Sequence, residues 1–144
     1  MKKWKKVICL TSIICLMFSL STTVHAETRW FRFLFTNDTM QEMYYPGASK
    51  ADNEQNWYLT LVEYDIESGI SNSTLASNNK FGCKLHRSYS DYVDIYRIYN
   101  SYVTAKRIPY QTTVYQGDVM NIKGKKDNSS TSSVSLQVYG KYTP

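Results

Sequence analysis

Cysteine and histidine often carry nucleophilic or metal chemistry, and both are rare in this chain. Past residue 26 the sequence contains one of each, Cys83 and His86. A Cys–His nucleophile pair needs its side chains within hydrogen-bond reach, but residues three apart on a strand point to opposite faces. A zinc site needs more nitrogen or sulfur ligands than these two side chains supply. We therefore predict no catalytic residue, no metal site and no cofactor.

Carboxylates are the other candidates for chemistry. Glu63, Asp65 and Glu67 share one face of an extended segment, and Asp91 and Asp94 lie close in sequence. Glycoside hydrolysis needs two carboxyl groups across a cleft at a set separation, so a small hydrolase remains one hypothesis. A solvated acidic edge, which discourages pairing between sheets, explains the same pattern. We predict that the protein is not an enzyme.

The first 26 residues have the organisation of a secretory leader. Four lysines within residues 2–6 precede the apolar run 7–20, and Val24-His25-Ala26 closes the segment. This order of charged, apolar and small residues is typical of a signal peptide, and about 14 apolar residues are too few for an ordinary membrane-spanning helix. We expect cleavage after Ala26, secretion of residues 27–144 as one domain, and no stable membrane insertion after cleavage.

Removal of the leader changes the composition. The whole chain has 17 basic and 12 acidic residues, and four of the basic ones are leader lysines. The remaining balance of 13 against 12 lacks the basic excess of nucleic-acid-binding proteins, so we predict no nucleic-acid partner. Cys83 has no internal disulfide partner left, and we expect it to be a buried apolar side chain. All 13 tyrosines lie after the leader.

The rest of the chain reads as short strands separated by polar turns. Residues 28–35 alternate, with Phe31, Phe33 and Phe35 on one face and Trp30, Arg32 and Leu34 on the other. Further strands are predicted at 56–66, 81–86, 112–115, 119–124 and 134–142. In the last of these, Val134 is expected to face inward. Residues 40–55 and 68–80 are predicted to be loops. This pattern favours an all-β fold, a small antiparallel β-sandwich.

Residues 89–102 allow two interpretations. Tyrosines at 89, 92, 96, 99 and 102 have helical spacing. The segment is also rich in β-branched and aromatic residues, and Asn100-Ser101 would break a helix. We favour a strand here.

Two stretches resemble a known group of proteins. Asn56-Trp57-Tyr58-Leu59-Thr60-Leu61 and the ending Val138-Tyr139-Gly140-Lys141-Tyr142-Thr143-Pro144 resemble small secreted β-sandwich proteins of Gram-positive bacteria. Lactococcin-like bacteriocins share the plan of a leader followed by a β domain, although this chain lacks their Trp-rich ending. The resemblance implies a β-sandwich and implies no particular activity.

These features favour a secreted, non-enzymatic protein that binds a cell-wall or cell-surface component or another protein. The alternative is a bacteriocin-like or toxin-like antagonistic protein. Exposed tyrosines are the expected contact residues, because aromatic side chains form flat binding faces. The candidates are Tyr44, Tyr45, Tyr89 and Tyr92.

Overall fold

Alternation of apolar and polar residues produces nine short strands in the computed structural model, which describes residues 26–35, 41, 42, 47–62, 75–87 and 91–144. No helix occurs among these residues. The strands are β1 (Arg29–Phe35), β2 (Gln41–Glu42), β3 (Ala48–Ser49), β4 (Asn56–Val62), β5 (Phe81–His86), β6 (Arg97–Tyr99), β7 (Val103–Pro109), β8 (Val119–Lys126) and β9 (Leu136–Thr143).

The strands form two antiparallel sheets. The first sheet has the order β1-β9-β4-β7, so strands from the two ends of the described chain lie side by side. In the second sheet β8 and β5 are central and β6 lies beyond β5. Short strands β2 and β3 pair with successive parts of β8 on its other side. The predicted all-β sandwich is confirmed.

Aromatic side chains fill the space between the sheets. Phe31, Phe33 and Phe35 are buried on the inner face of β1. The ring of Phe81, on β5 of the opposite sheet, lies 6.0–6.2 Å from each of their three ring centroids. Such offset aromatic pairs add about 0.5–1.5 kcal/mol each beyond the burial of area. The alternation predicted for β1 is therefore correct, and it holds the two sheets together.

The strand predicted at 112–115 is wrong, although Val114 is buried as a strand residue would be. The side chain of Gln55 takes the place of a neighbouring strand. Its Nε2 donates to the Val114 carbonyl oxygen at 2.8 Å, and its Oε1 accepts from the Val114 N–H at 3.1 Å. One side chain thus satisfies the backbone groups that a sheet would otherwise pair.

The prediction of an inward-facing Val134 is also wrong, because the last strand begins at Leu136. Val134 is 52% exposed. Its carbonyl oxygen accepts a hydrogen bond from Lys126 Nζ at 2.6 Å, and its N–H donates to Ser132 Oγ at 3.2 Å. These local bonds hold the residue in a turn.

The prediction that segment 40–55 is a loop is wrong in part. The segment contains β2, β3 and the buried residues Ala48 and Lys50.

The described part of the ambiguous tyrosine segment pairs with β5 at two places, with an irregular stretch between them. Tyr92 pairs with His86 of β5, and Arg97 pairs with Cys83. Two residues separate these pairs on β5, whereas four residues, 93–96, separate them on the other strand. Two extra residues therefore bulge out of the edge of the second sheet. The helical alternative is wrong for the described residues 91–102, and the strand interpretation is confirmed in part: Arg97–Tyr99 form β6, and Tyr92 makes an isolated bridge.

Candidate functional site

The structure places Cys83 and His86 on opposite sides of β5, as the spacing of three predicted. Cys83 lies in the hydrophobic core and is fully buried. Burial raises the pKa of its thiol well above the ordinary value, so the thiol stays protonated at neutral pH. His86 lies on the other side, where its ring centroid is 6.0 Å from that of Tyr92. These positions do not form a nucleophile pair.

The two described acids that the sequence singled out, Asp91 and Asp94, have structural contacts. Asp91 Oδ2 accepts from Arg87 Nε at 2.7 Å near the surface. Asp94 is buried and accepts from Trp57 Nε1 at 3.1 Å and from Arg97 Nε and Nη2 at 3.1 and 3.0 Å. Within the described ranges, no three His, Cys, Asp or Glu side chains come together as a metal site requires.

Three other predicted acids, Glu63, Asp65 and Glu67, lie outside the described residues. No helix in the part that the structure describes is long and apolar enough to cross a bilayer.

Of the four tyrosines proposed as contact residues, the structure describes Tyr92 alone; Tyr44, Tyr45 and Tyr89 lie outside the described residues. Tyr92 is 38% exposed on the outer face of the second sheet. The ammonium group of Lys84 lies 3.3 Å from its ring centroid, and that of Lys123 lies 5.4 Å away. Tyr92 is accessible to a partner, but the Lys84 ammonium group already makes a cation–π contact with one face of its ring.

A larger accessible aromatic surface lies on the outer face of the first sheet. Trp30 is 52% exposed, and its ring stacks on that of Tyr139 with centroids 5.2 Å apart and an interplanar angle of 20°. Leu34, two outward positions farther along β1, is 50% exposed. We call this surface the Trp30 face. Its members are Trp30, Arg32 and Leu34 of β1 and Tyr139 and Lys141 of β9.

The register of three strands positions these side chains. β9 lies between β1 and β4, with Trp30 opposite Lys141 and Arg32 opposite Tyr139. Because cross-strand pairs point to the same side of a sheet, the aromatic and basic side chains form one continuous surface. Stacking on Tyr139 restricts the orientation of the Trp30 ring. The ring is therefore pre-organised, which lowers the entropic cost of binding a ligand.

The charged side chains described on the Trp30 face are basic. Lys141 Nζ lies 5.3 Å from the Trp30 ring centroid, and Arg32 is exposed beside it. None of the outward positions on the described residues of β1, β9 and β4 is Asp or Glu. Described acids contact this sheet elsewhere: Glu27 pairs with Arg29 at the start of β1, and Asp94 accepts from Trp57 on the inner side. Glu54 accepts from Tyr58 Oη at 3.0 Å and from Arg107 Nη2 at 3.1 Å. A flat ring flanked by cations suits a ligand with a planar or ring-shaped surface and negative charge.

The sequence contained a signal for this site. The alternation in β1 places Trp30 and Leu34 on the same face as Arg32, which is the solvent side of a sandwich. Large apolar residues at solvent-facing positions are the observation that indicates a binding surface. No protein-family model matches the chain, and no curated protein or solved structure matches it significantly.

Proposed function

We propose that the protein is a secreted, non-enzymatic binding module that holds a saccharide-bearing polymer of the cell surface on its Trp30 face. The observation that carries the proposal is the half-exposed Trp30 ring, held in place by stacking on Tyr139. Export by the leader 1–26, with cleavage after Ala26, is part of this proposal. The predicted start of the exported protein, Glu27, lies two residues before β1.

Several properties of the Trp30 face support binding over a purely structural role. A tryptophan that only stabilised the sheet would lie in the core, as Trp57 does. The exposed ring offers an apolar plane to one side of a sugar ring. Lys141, beside the Trp30 ring, offers charge to phosphate or carboxylate groups of a polymer.

The size of the expected effect follows from the behaviour of tryptophan in interfaces. Replacement of a tryptophan at the centre of an interface by alanine costs about 2 kcal/mol or more. That cost corresponds to a loss of affinity of about 30-fold. A replacement at an equally exposed aromatic residue outside the interface has no such cost.

The test is retention on purified cell wall. Residues 27–144, which contain all nine described strands, are incubated with purified wall from Gram-positive cells and with wall stripped of its anionic polymers. The Trp30→Ala variant is compared with Tyr115→Ala, which removes a ring that is 61% exposed in the connection between β7 and β8. Circular dichroism first establishes that both variants are folded.

We expect the parent and Tyr115→Ala to be retained equally, and Trp30→Ala to need a wall concentration about 30-fold higher for the same retention. Equal retention of all three proteins, or retention of none, would contradict the proposal.

A further inference from the structure

A second surface lies at the edge of the sandwich, where β6 of the second sheet meets β7 of the first, and it pairs lysines with tyrosines. The ammonium groups of three lysines lie over the rings of three tyrosines from the bulged segment. The pairs are Lys84 with Tyr92 at 3.3 Å, Lys106 with Tyr99 at 5.2 Å, and Lys125 with Tyr96 at 5.6 Å, all measured to the ring centroid. We call this surface the lysine–tyrosine edge.

Two isoleucines protrude from the same segment. Ile95 lies in the bulge and is 52% exposed, and Ile98 lies on β6 and is 51% exposed. Exposure of a branched aliphatic side chain to water is unfavourable, because the free energy of burying its apolar area is lost. Their occurrence together, three residues apart on one sheet edge, indicates a contact surface.

The bulge that carries Ile95 is held in one conformation. Asp94 accepts hydrogen bonds from the Ile95 N–H at 2.8 Å, from Trp57 Nε1 of the opposite sheet, and from the Arg97 side chain. These bonds connect the edge to the core on both sides of Ile95. The isoleucine is therefore presented by a fixed backbone, which lowers the entropic cost of inserting it into a partner.

The charge around the isoleucines is positive. Lys84, Lys106 and Lys125 form no ion pair among the described residues; Lys125 Nζ donates to the neutral Asn128 Oδ1 at 2.7 Å.

Each carboxylate described on or beside this edge is bound by groups of the protein itself. Asp94 is held by Arg97, and Asp91 is held by Arg87. Asp127 accepts from Tyr96 Oη at 2.9 Å and from the backbone and side chain of Ser129. Lys84 and Lys106 therefore remain available to external anions, and Lys125 shares its charge with Asp127.

We propose that the lysine–tyrosine edge is a docking surface for an anionic lipid membrane. Ile95 and Ile98 enter the boundary between headgroups and acyl chains, and the three lysines contact lipid phosphates. The exposed Tyr92 suits this arrangement because its amphipathic ring favours the headgroup level of a bilayer, whereas the buried Tyr99 anchors Lys106 from below. A soluble polyanion would account for the lysines but would leave the isoleucines without a role. This surface is distinct from the Trp30 face, so the inference does not depend on the proposed function.

The expected strength follows from the number of lysines. Each basic residue near an anionic leaflet raises partitioning about fivefold, so three raise it about a hundredfold over a neutral membrane. The electrostatic part weakens with salt because the screening length falls from about 10 Å at 0.1 M to about 3 Å at 1 M. Binding is therefore peripheral and reversible.

Co-sedimentation with lipid vesicles tests the proposal. Residues 27–144 are mixed with vesicles of equal parts phosphatidylglycerol and phosphatidylcholine, and separately with phosphatidylcholine alone. Two multiple variants alter the edge: Ile95→Ser with Ile98→Ser, and Lys84→Gln with Lys106→Gln and Lys125→Gln. The matched control is Val134→Ser, which removes a side chain that is 52% exposed outside the edge. Thermal unfolding establishes that all of them are folded.

We expect the parent and Val134→Ser to bind the anionic vesicles about a hundredfold better than the neutral ones. The triple lysine variant should lose most of this preference, and the double isoleucine variant should bind both kinds of vesicle more weakly. No binding of the parent to anionic vesicles would overturn the proposal. Full binding by the double isoleucine variant, together with release by soluble polyphosphate, would also overturn it and would indicate a polyanion site instead.

Discussion

Replacement of Asp94 by alanine should destabilise the whole domain, because this one carboxylate joins the two sheets. Its oxygens accept four hydrogen bonds from three residues: Trp57 Nε1 in the first sheet, the Arg97 side chain in the second, and the Ile95 N–H in the bulge. The Asp94 side chain is 0% exposed, whereas that of Arg97 is 26% exposed. After the replacement, the Trp57 N–H and part of the Arg97 guanidinium would be buried without an acceptor.

The magnitude follows from this geometry. Removal of one partner from a buried ion pair costs about 3–5 kcal/mol, and the partial exposure of Arg97 lets water solvate it in the variant. We therefore expect a loss near the lower end, about 3 kcal/mol in the free energy of unfolding. For a domain of this size the corresponding fall in melting temperature is about 12 °C. Asp94→Asn keeps a neutral acceptor and should lose less, about 1–2 kcal/mol.

Guanidinium unfolding, followed by circular dichroism and tryptophan fluorescence, provides the assay. Asp91→Ala is the matched control, because the Asp91 ion pair with Arg87 lies at the surface, with the acid 42% exposed. Surface pairs contribute about 1 kcal/mol or less. If Asp94→Ala were no less stable than Asp91→Ala, the carboxylate would not join the sheets as described, and our account of the bulge would be wrong.

Three other predictions concern the core. At Gly140 an added Cβ would lie 2.4 Å from the Thr60 backbone oxygen. Gly140→Ala should therefore lower the free energy of unfolding in denaturant by about 2–3 kcal/mol. A stability equal to that of the parent would contradict the tight spacing of β9 and β4. The buried Cys83 thiol has a raised pKa, so the native protein should resist Ellman's reagent at pH 8 and react only when unfolded; rapid labelling of the native protein would refute this. Burial raises the pKa of Tyr142 to about 12, whereas a tyrosine in an unfolded chain has a pKa of about 10. The neutral hydroxyl of Tyr142 therefore stabilises the fold below pH 10, and this contribution is lost as the pH rises towards 12. Unfolding measured at several alkaline pH values should show this loss in the parent and a smaller loss in Tyr142→Phe, and identical pH profiles would exclude it.

The sequence pattern predicted those strands whose alternation is clear. β1 was predicted almost residue for residue, because one face of the strand enters the core and the other is exposed. The bounds of β5 were also predicted, although nearly all of its residues are buried on both faces. β7 was not predicted. Its residues are mostly exposed, and Ala105 adopts a φ of 43° where the pairing with β4 shifts by one residue. An edge strand with a bulge has little apolar periodicity to detect.

The candidate surfaces were harder to predict, because exposure depends on tertiary packing. Thirteen tyrosines made tyrosine the evident choice for a contact residue, yet the described ones include several that are largely buried, such as Tyr99, Tyr110 and Tyr142. The more informative signal was Trp30 at a position that alternation assigns to solvent. The lysine–tyrosine edge could not be predicted, since it depends on tertiary packing that brings Lys84, Lys106 and Lys125, from three different strands, over tyrosine rings of one segment.

The most direct test of the Trp30 face is a heteronuclear NMR titration of residues 27–144 with solubilised cell-wall polymer. This domain has two indole N–H groups, Trp30 at the surface and Trp57 in the core, where its indole donates to Asp94. Trp57→Phe identifies which resonance belongs to Trp30. Our account predicts that the Trp30 indole resonance shifts or broadens in a saturable manner while that of Trp57 stays in place. Binding of the polymer with no change at Trp30 would contradict it.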